Sequence, residues 1–133
     1  MNIFKYINIL FNGKQNKSTS KIEPGEHIAC KYIKKQGYKI LEKNYRTRYG
    51  EIDIVAVDSD VLCFVEVKSR KNTDYGFPED FVDKRKQQKL IKTSLIYSMC
   101  RMSKIADKRF DVVTVNLNNG NCNVIKNAFE VII

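Results

Sequence analysis

Two apolar runs separated by a short polar turn constrain the fold of this chain more than any other feature. The runs are Gly50–Val57 and Leu62–Lys68, and the turn between them contains Asp58, Ser59 and Asp60. Segments rich in Val and Ile on both sides of a polar turn predict an antiparallel β-hairpin. A two-residue loop at 59–60 and a four-residue loop at 58–61 give the same register. The pairing of side chains across the hairpin can therefore be predicted.

This register brings acidic and basic side chains together at the open end of the hairpin. Asp53 faces Glu66, and Glu51 faces Lys68. Opposed residues share a sheet face, with their Cβ atoms roughly 5 Å apart. Since side chains alternate along a strand, Glu66 and Lys68 point the same way. Two carboxylates this close can bind a divalent cation beside the lysine ammonium.

The other hairpin positions decide between a binding site and an ordinary wet surface. A hairpin with one solvated face would carry Glu and Lys only for solubility. Here the opposite face is wholly apolar, and a strand pair that is apolar on both faces is buried. Carboxylates at the edge of a core are costly unless a cation or a lysine neutralises them. A metal site is the favoured interpretation, and a buried ion network of Asp53, Glu66 and Lys68 is the structural alternative. The apolar face consists of Ile52, Ile54, Ala56, Cys63, Val65 and Val67.

A glutamate on the first helix is predicted to point towards the same region. Pro24 opens a helix that runs to about Gln36, and Gly37 follows where a left-handed cap is common. Glu26 shares a face with the apolar residues of this helix, so we expect it to point inward. The alternative is that Glu26 only complements the helix dipole in the first turn. The apolar residues are Ala29, Cys30 and Ile33.

The remaining segments predict an α/β fold with a mixed sheet covered by helices. In chain order the elements are helix, strand, strand, strand, helix and strand, with an extended tail. The second helix is predicted from an N-cap at Asp83 to about Ser103. The buried stripe of this second helix is predicted to consist of Ile91, Leu95, Met99 and Met102. The other predicted strands are Tyr38–Tyr45 and Arg109–Val115, with an extended segment at Cys122–Ile133. The predicted turns and loops are a basic turn at Arg46–Gly50, a loop from Arg70 to about Phe81 and a turn at Asn118–Gly120.

The net charge of +9 predicts a polyanionic partner. Residues 1–48 hold 11 basic and 3 acidic groups, whereas the remainder holds 13 and 12. Nucleic acid is the first candidate partner and an anionic membrane the second, and a lysine-rich surface that only aids solubility is the alternative. Cations also crowd the start of the second helix, where the helix dipole disfavours them and a phosphate would relieve the repulsion. A merely solvated helix face is the alternative for this cluster, which consists of Lys84, Arg85, Lys86, Lys89 and Lys92.

Composition and cysteine spacing narrow the class of protein. No run approaches the roughly 20 apolar residues of a membrane-spanning helix. Four scattered cysteines and a single histidine exclude the usual zinc sites and favour a reducing, cytoplasmic compartment. We interpret residues 1–21 as a flexible tail rather than a signal peptide, and residues 22–133 as one domain.

Together these residues resemble the YraN-like family of uncharacterised bacterial proteins. That family is similar to restriction-endonuclease-like proteins, including archaeal Holliday-junction resolvases, and the resemblance covers residues 25 to about 129. The residues that carry it are Gly25, Glu26, Gly50–Asp53, Phe64–Lys68, Arg70, Lys86 and Arg109–Asp111.

The resemblance implies a restriction-endonuclease-like core and a role for each matched residue. Asp53 and Glu66 would be ligands of Mg²⁺ or Mn²⁺, and Lys68 would lie next to the attacking water. Glu26 would complete the acidic cluster, as a ligand or as part of the catalytic machinery. Lys86 matches a recurring basic position on the second helix.

Two further assignments come from the predicted positions of the residues. Glu51 faces Lys68, so it would orient the lysine or bind the metal through water, unless it is only a solvated strand end. The basic side chains near the site would hold a nucleic-acid backbone without reading its sequence. These side chains are Arg46, Arg48, Arg70, Arg85, Lys86 and Lys89.

The function predicted from the sequence is metal-dependent hydrolysis of phosphodiester bonds in DNA. Hard carboxylate oxygens suit Mg²⁺ or Mn²⁺, which keep several waters and accept phosphate oxygens as further ligands. The substrate would be branched or recombination DNA, and cleavage of two strands would need a two-fold homodimer. The alternative is a nucleic-acid-binding protein that keeps the nuclease fold without turning over a substrate.

Overall fold

The computed structural model describes residues 24–71, 82–101 and 107–129. It confirms the predicted α/β class, with a five-stranded mixed sheet between helices, consistent with a restriction-endonuclease-like core. The predicted tail at residues 1–21, most of the loop after Arg70, and the positions of Met102 and Ser103 lie outside the described residues. The elements are α1 (Pro24–Lys35), β1 (Lys39–Thr47), β2 (Gly50–Asp58), β3 (Val61–Arg70), α2 (Lys84–Arg101), β4 (Asp107–Asn116) and β5 (Cys122–Phe129).

The sheet has the strand order β1-β2-β3-β4-β5. Strand β3 pairs with β4 in parallel, and the other neighbours pair antiparallel. A parallel pair needs a long crossover connection, and α2 lies in the connection between β3 and β4. Strands β2, β3 and β4 have buried apolar residues on both faces, as expected for strands that are covered by a helix on each side.

The predicted hairpin register is confirmed where β2 and β3 pair. Ile54 lies opposite Val65, and Asp58 lies opposite Val61. This pairing leaves Ser59 and Asp60 as a two-residue loop, in which Ser59 has a φ of 54°. The position of the turn, and hence of the open end with its charged residues, is as the sequence predicts.

Helix α1 covers one sheet face and ends as predicted. Gly37 has a φ of 97°, its N–H donates to the Lys34 carbonyl, and the Tyr38 N–H donates to the Ile33 carbonyl. These bonds satisfy the last carbonyls of the helix. The predicted apolar face of α1 is buried and packs against β2, β3 and β4. The core on this side includes Ala29, Cys30, Ile33, Ile54, Ala56, Cys63, Val65, Val113 and Val115.

Helix α2 covers the other face, but with a different stripe from the one predicted. Leu95 and Met99 are 39% and 46% exposed, so the prediction that they are core residues is wrong. The hydroxyls of the buried residues donate to carbonyls within α2, which makes their burial inexpensive and lets the helix approach the sheet closely. None of the described helices is long and apolar enough to cross a membrane. The buried residues of α2 are Leu90, Thr93, Ser94, Tyr97 and Ser98.

Ile52 is a second correction to the predicted faces. The alternation of side chains predicted that Ile52 and Ile54 share a face, but Ile54 packs in the core beneath α1 and Ile52 packs with Tyr45 in the core beneath α2. Asn44, next to Tyr45 on β1, has a φ of 52°. A left-handed residue changes the direction of the side chains that follow it on its strand. The Tyr45 side chain follows Asn44, and Ile52 is the residue paired with Tyr45. This interruption of the alternation coincides with Asp53 on β2.

Candidate active site

A cavity of about 380 Å³ lies at the open end of the hairpin. Its walls come from the start of α1, from β1, β2 and β3, and from the first turn of α2. It brings together every residue predicted to be catalytic or to bind metal, with two of the predicted nucleic-acid contacts. The lining residues are Glu26, Asn44, Arg46, Glu51, Asp53, Glu66, Val67, Lys68, Ser69 and Lys86.

Asp53 is held in this cavity by the neighbouring strand. The Val67 N–H donates to its Oδ2 atom at 2.8 Å. The ladder between β2 and β3 runs from the Asp58–Val61 pair to the Ile54–Val65 pair and ends there. The Asp53 carboxylate thus takes up a backbone donor that a continued ladder would have used, and the strands separate to form the cavity.

The environment of Asp53 disfavours its negative charge. Burial and the nearby charge of Glu66 raise the pKa of Asp53 to about 8, and Glu26 and Glu51 act in the same direction. Burial and a neighbouring carboxylate both raise the pKa of a carboxyl group, because each disfavours the charged form. A cation next to Asp53 would restore the balance.

Glu66 is nearly buried, and two lysines contact the same oxygen of its carboxylate. Its side chain is 7% exposed, and the Lys68 Nζ atom lies 3.6 Å from its Oε1 atom. The Lys86 Nζ atom donates a hydrogen bond to this oxygen as well. Burial, together with the contact with Lys86, lowers the pKa of Lys68. The Glu66 carboxylate is therefore held between two lysines from different elements, β3 and α2.

The contact between Lys86 and Glu66 adds to the sequence assignment. The predicted role of Lys86 in holding nucleic acid stays a prediction, and its ammonium is also part of the acidic cluster. The backbone places it there, because Asp83 caps α2 and its Oδ1 atom accepts the Lys86 N–H at 2.8 Å. The predicted N-cap is therefore confirmed.

Glu51 does not have the partner predicted for it. The β2–β3 ladder ends before this position, so Glu51 does not pair with Lys68. It lies opposite Arg46 on β1 instead, with the Arg46 Nε atom 3.2 Å from the Glu51 Oε1 atom. Both side chains line the cavity, so a role for Glu51 through a water molecule stays a prediction.

Glu26 reaches the cavity because Gly25 lets α1 approach β3. A Cβ atom at Gly25 would lie 1.6 Å from the Ser69 Oγ atom and 2.8 Å from the Ser69 Cβ atom. Only glycine permits this approach. The predicted inward orientation of Glu26 is confirmed.

The basic residues predicted to hold nucleic acid lie at different distances from the acids. Arg46 and Lys86 line the main cavity, and Lys89 lines an adjoining cavity of about 210 Å³ that shares Glu51, Asp53, Glu66 and Lys86. The other three residues are outside the linings of these two cavities. Arg48 and Arg85 are exposed, and Arg70 is half-buried at the end of β3.

Asn44 and Tyr49 have contacts in this region that their positions in the sequence do not predict. Asn44 lines the cavity and lies on β1 across from Asp53, between the paired residues Lys43 and Tyr45. Its one signal in the sequence is that asparagine tolerates the left-handed conformation. Arg48 and Lys92 each place a cationic group 5.9 Å from the centroid of the Tyr49 ring.

The carboxylates suit a hydrated Mg²⁺ or Mn²⁺ ion rather than a closed protein cage. Within residues 24–71, 82–101 and 107–129, no three His, Cys, Asp or Glu side chains converge to hold a metal. Mg²⁺ keeps several waters and needs one or two carboxylates. Asp53 and Glu66 would supply hard oxygen ligands, and burial together with the nearby charge of Glu66 disfavours the Asp53 carboxylate when no cation is bound. The donor set therefore fits such an ion.

Comparison with known proteins places this chain in a family. The model of "Uncharacterised protein family UPF0102" matches residues 25–115. A UPF0102 protein of Syntrophus aciditrophicus is 45% identical over 124 residues, which cover 92% of this chain and 96% of that protein. A UPF0102 protein of Persephonella marina is 44% identical, and the match covers 80% of this chain and 90% of that protein. A UPF0102 protein of Clostridium botulinum (strain Loch Maree) is 46% identical, and the match covers 80% of this chain and 91% of that protein. The chain is a member of the UPF0102 family.

Proposed function

We propose that this protein is a metal-dependent nuclease that hydrolyses phosphodiester bonds in DNA. One observation carries the proposal: Asp53, Glu66 and Lys68 line one cavity at the point where β2 and β3 separate. Two carboxylates beside a lysine on adjacent strands are suited to cleavage of a phosphodiester. The restriction-endonuclease-like fold expected from the resemblance supports the same function.

Asp53 and Glu66 would hold the ion. When bound, Mg²⁺ or Mn²⁺ would polarise the phosphate and acidify a coordinated water. Lys68 orients the attacking water through its ammonium group, which lies beside Glu66, and the proton of that water passes to solvent. The water oxygen forms a bond to phosphorus, the ester P–O bond breaks, and the leaving oxygen takes a proton from solvent. Glu26 and Glu51 add negative charge at the cavity wall.

The surroundings of the cavity suit a nucleic-acid backbone. Arg46, Lys86 and Lys89 line the two adjoining cavities, and Lys92 lies near Tyr49 beyond them. Such side chains contact phosphates without reading sequence. We propose that the substrate is branched DNA and that cleavage of two strands uses a two-fold homodimer.

A second candidate function is nucleic-acid binding without catalysis. It is favoured by the ion pair between Lys86 and Glu66, which already neutralises one of the carboxylates. In that case the acids and lysines would form a structural ion network, and added metal would change neither stability nor DNA binding.

A cleavage assay separates the two functions. Linear, nicked, flapped and four-way DNA would be incubated with Mn²⁺ and the wild-type protein, Lys68→Ala or Glu66→Gln. Asp60→Asn is the matched control, because Asp60 is exposed in the loop at the other end of the same hairpin. We expect cleavage by the wild type and the control only. Cleavage that survives both active-site substitutions, or no cleavage by the wild type on any substrate, would contradict the proposal.

A further inference from the structure

Two lysine side chains in the cavity contact the same oxygen atom of Glu66. The Glu66 Oε1 atom accepts a hydrogen bond from Lys86 and lies 3.6 Å from the Lys68 Nζ atom. The same carboxylate is one of the two that would hold the divalent cation. A divalent cation at this carboxylate would repel both ammonium groups, and the repulsion is relieved if one of the lysines moves away from Glu66.

Lys86 is the lysine that has more room to move away from Glu66. Its side chain is 39% exposed, whereas that of Lys68 is 24% exposed. Lys68 lies on β3, whose backbone is fixed by β4 at this position, opposite Thr114. Lys86 lies on the first turn of α2, where its neighbours Lys84 and Arg85 are exposed, so its side chain has room to turn towards solvent.

A phosphate group near the two cavities would give the Lys86 ammonium an alternative binding partner. Lys86 lines both cavities, and Lys89 lies one turn further along α2 at the adjoining cavity. A phosphate at this mouth would offer Lys86 an anion in exchange for Glu66. The movement would need only a change of side-chain rotamer, with the helix fixed by its cap at Asp83.

We propose that Lys86 is a displaceable counter-ion, which neutralises Glu66 in the metal-free protein and moves to the substrate phosphate when the divalent cation binds. This inference rests on the proposed function and specifies how its site is loaded. Because Lys86 releases Glu66 when it binds phosphate, metal and DNA each raise the affinity for the other. The coupling is reciprocal by thermodynamic necessity. It would keep a metal-loaded nuclease rare until a substrate is present.

Metal binding in the absence of DNA gives the first test. Mn²⁺ would be titrated calorimetrically into the wild type, Lys86→Gln and Lys89→Gln at constant ionic strength. Lys89→Gln is the matched control, since it removes an equal charge from the same helix without a Glu66 contact. We expect Lys86→Gln to bind Mn²⁺ at least about fivefold more tightly than the wild type, in the usual range of such couplings. The control should stay within about twofold, since a charge at the cavity mouth is screened by salt.

DNA binding gives the second test. A duplex with phosphorothioate linkages would be titrated with each protein, with and without Mn²⁺. The wild type and Lys89→Gln should gain at least about fivefold in affinity from Mn²⁺, whereas Lys86→Gln should lose most of this gain. Thermal melting of each variant would establish that it is folded.

The outcomes separate this inference from the proposed function. Equal or weaker Mn²⁺ binding by Lys86→Gln would overturn the role of Lys86 and leave the nuclease proposal standing. Tighter Mn²⁺ binding by Lys86→Gln, with no DNA cleavage by the wild type, would overturn the proposed nuclease activity and support the displacement of Lys86 from Glu66. Absence of Mn²⁺ binding by the wild type and by Lys86→Gln would overturn both.

Discussion

The carboxylate of Asp53 accepts a hydrogen bond from the backbone N–H of Val67, with 2.8 Å between the two atoms. Val67 lies directly between Glu66 and Lys68, so one bond ties the first acid of the cluster to the strand that carries the other two charges. The β2–β3 ladder ends next to this bond. The hydrogen bond from Val67 to Asp53 therefore both fixes the position of the Asp53 carboxylate and marks the point where β2 and β3 separate.

Substitutions of Asp53 should separate its structural role from its binding role. Asparagine can still accept the Val67 N–H, but it cannot supply a negative charge. Without metal, we expect Asp53→Asn to be at least as stable as the wild type, because burial and Glu66 already penalise the carboxylate. Asp53→Ala should be less stable than Asp53→Asn by about 1–3 kcal/mol, since it leaves the Val67 N–H without a partner. Chemical denaturation of the metal-free proteins measures this difference, and equal stabilities would contradict the role of the bond.

Gly25 should tolerate no side chain while Ser69 is present. We expect Gly25→Ala to destabilise the fold by about 1–3 kcal/mol, because the new methyl group would overlap Ser69. It should also shift Glu26 away from the cavity. The double variant Gly25→Ala/Ser69→Gly should recover most of the loss, since the overlapping atoms are removed. Additive losses in a double-mutant cycle would show that the two positions do not contact each other.

A second ionic network, far from the cavity, predicts a pH dependence of stability. Arg109 donates a hydrogen bond to Asp58 at 2.6 Å and Lys126 donates another at 2.9 Å, and these contacts lower the pKa of Asp58. The contribution of Asp58 to stability is therefore present above the ordinary pKa of an aspartate and is lost as the pH falls through the lower folded value.

Asp58→Asn should test this sign directly. The free energy of unfolding of the wild type should exceed that of the variant at pH 6 to 7, and the difference should shrink as the pH falls below about 4. Urea denaturation over this pH range measures the difference. Two curves that stay parallel down to pH 2 would contradict the assignment.

Truncation of two leucines on α2 should reduce stability by very different amounts. Leu90 is 4% exposed and Leu95 is 39% exposed. We expect Leu90→Ala to cost about 2–5 kcal/mol and Leu95→Ala to cost no more than about 0.5 kcal/mol. Urea denaturation of both variants measures the costs. The opposite ranking would restore the helix stripe predicted from the sequence.

The sequence predicted most of what depends on short-range pattern. The hairpin register, the left-handed end of α1 at Gly37 and the N-cap at Asp83 follow from local chemistry, and all three are confirmed. The inward orientation of Glu26 follows from helical spacing. These features need no knowledge of the rest of the molecule.

The errors arise where distant segments meet. The buried side of α2 consists largely of Thr93, Ser94 and Ser98, because their hydroxyls are satisfied within the helix, whereas apolar spacing favoured Leu95 and Met99. No local pattern in the sequence signals that choice.

The charged site shows the same limit. The register predicted Glu51 next to Lys68, but the strands separate at Asp53 and Glu51 pairs with Arg46. Lys86 reaches Glu66 from another element, and no spacing along the chain links the two. The sequence therefore predicts which residues belong to the charged cluster better than it predicts which of them contact one another.

The most direct test of the central claim is to locate bound Mn²⁺ by its paramagnetic broadening of backbone amide signals in an NMR spectrum. We predict that low Mn²⁺ concentrations broaden the amides of residues 26, 53 and 66–68 first, and leave those of the 58–60 turn sharp. The Asp53→Asn variant should lose this pattern. Broadening that begins elsewhere, or that is unchanged in Asp53→Asn, would contradict a metal centre in this cavity.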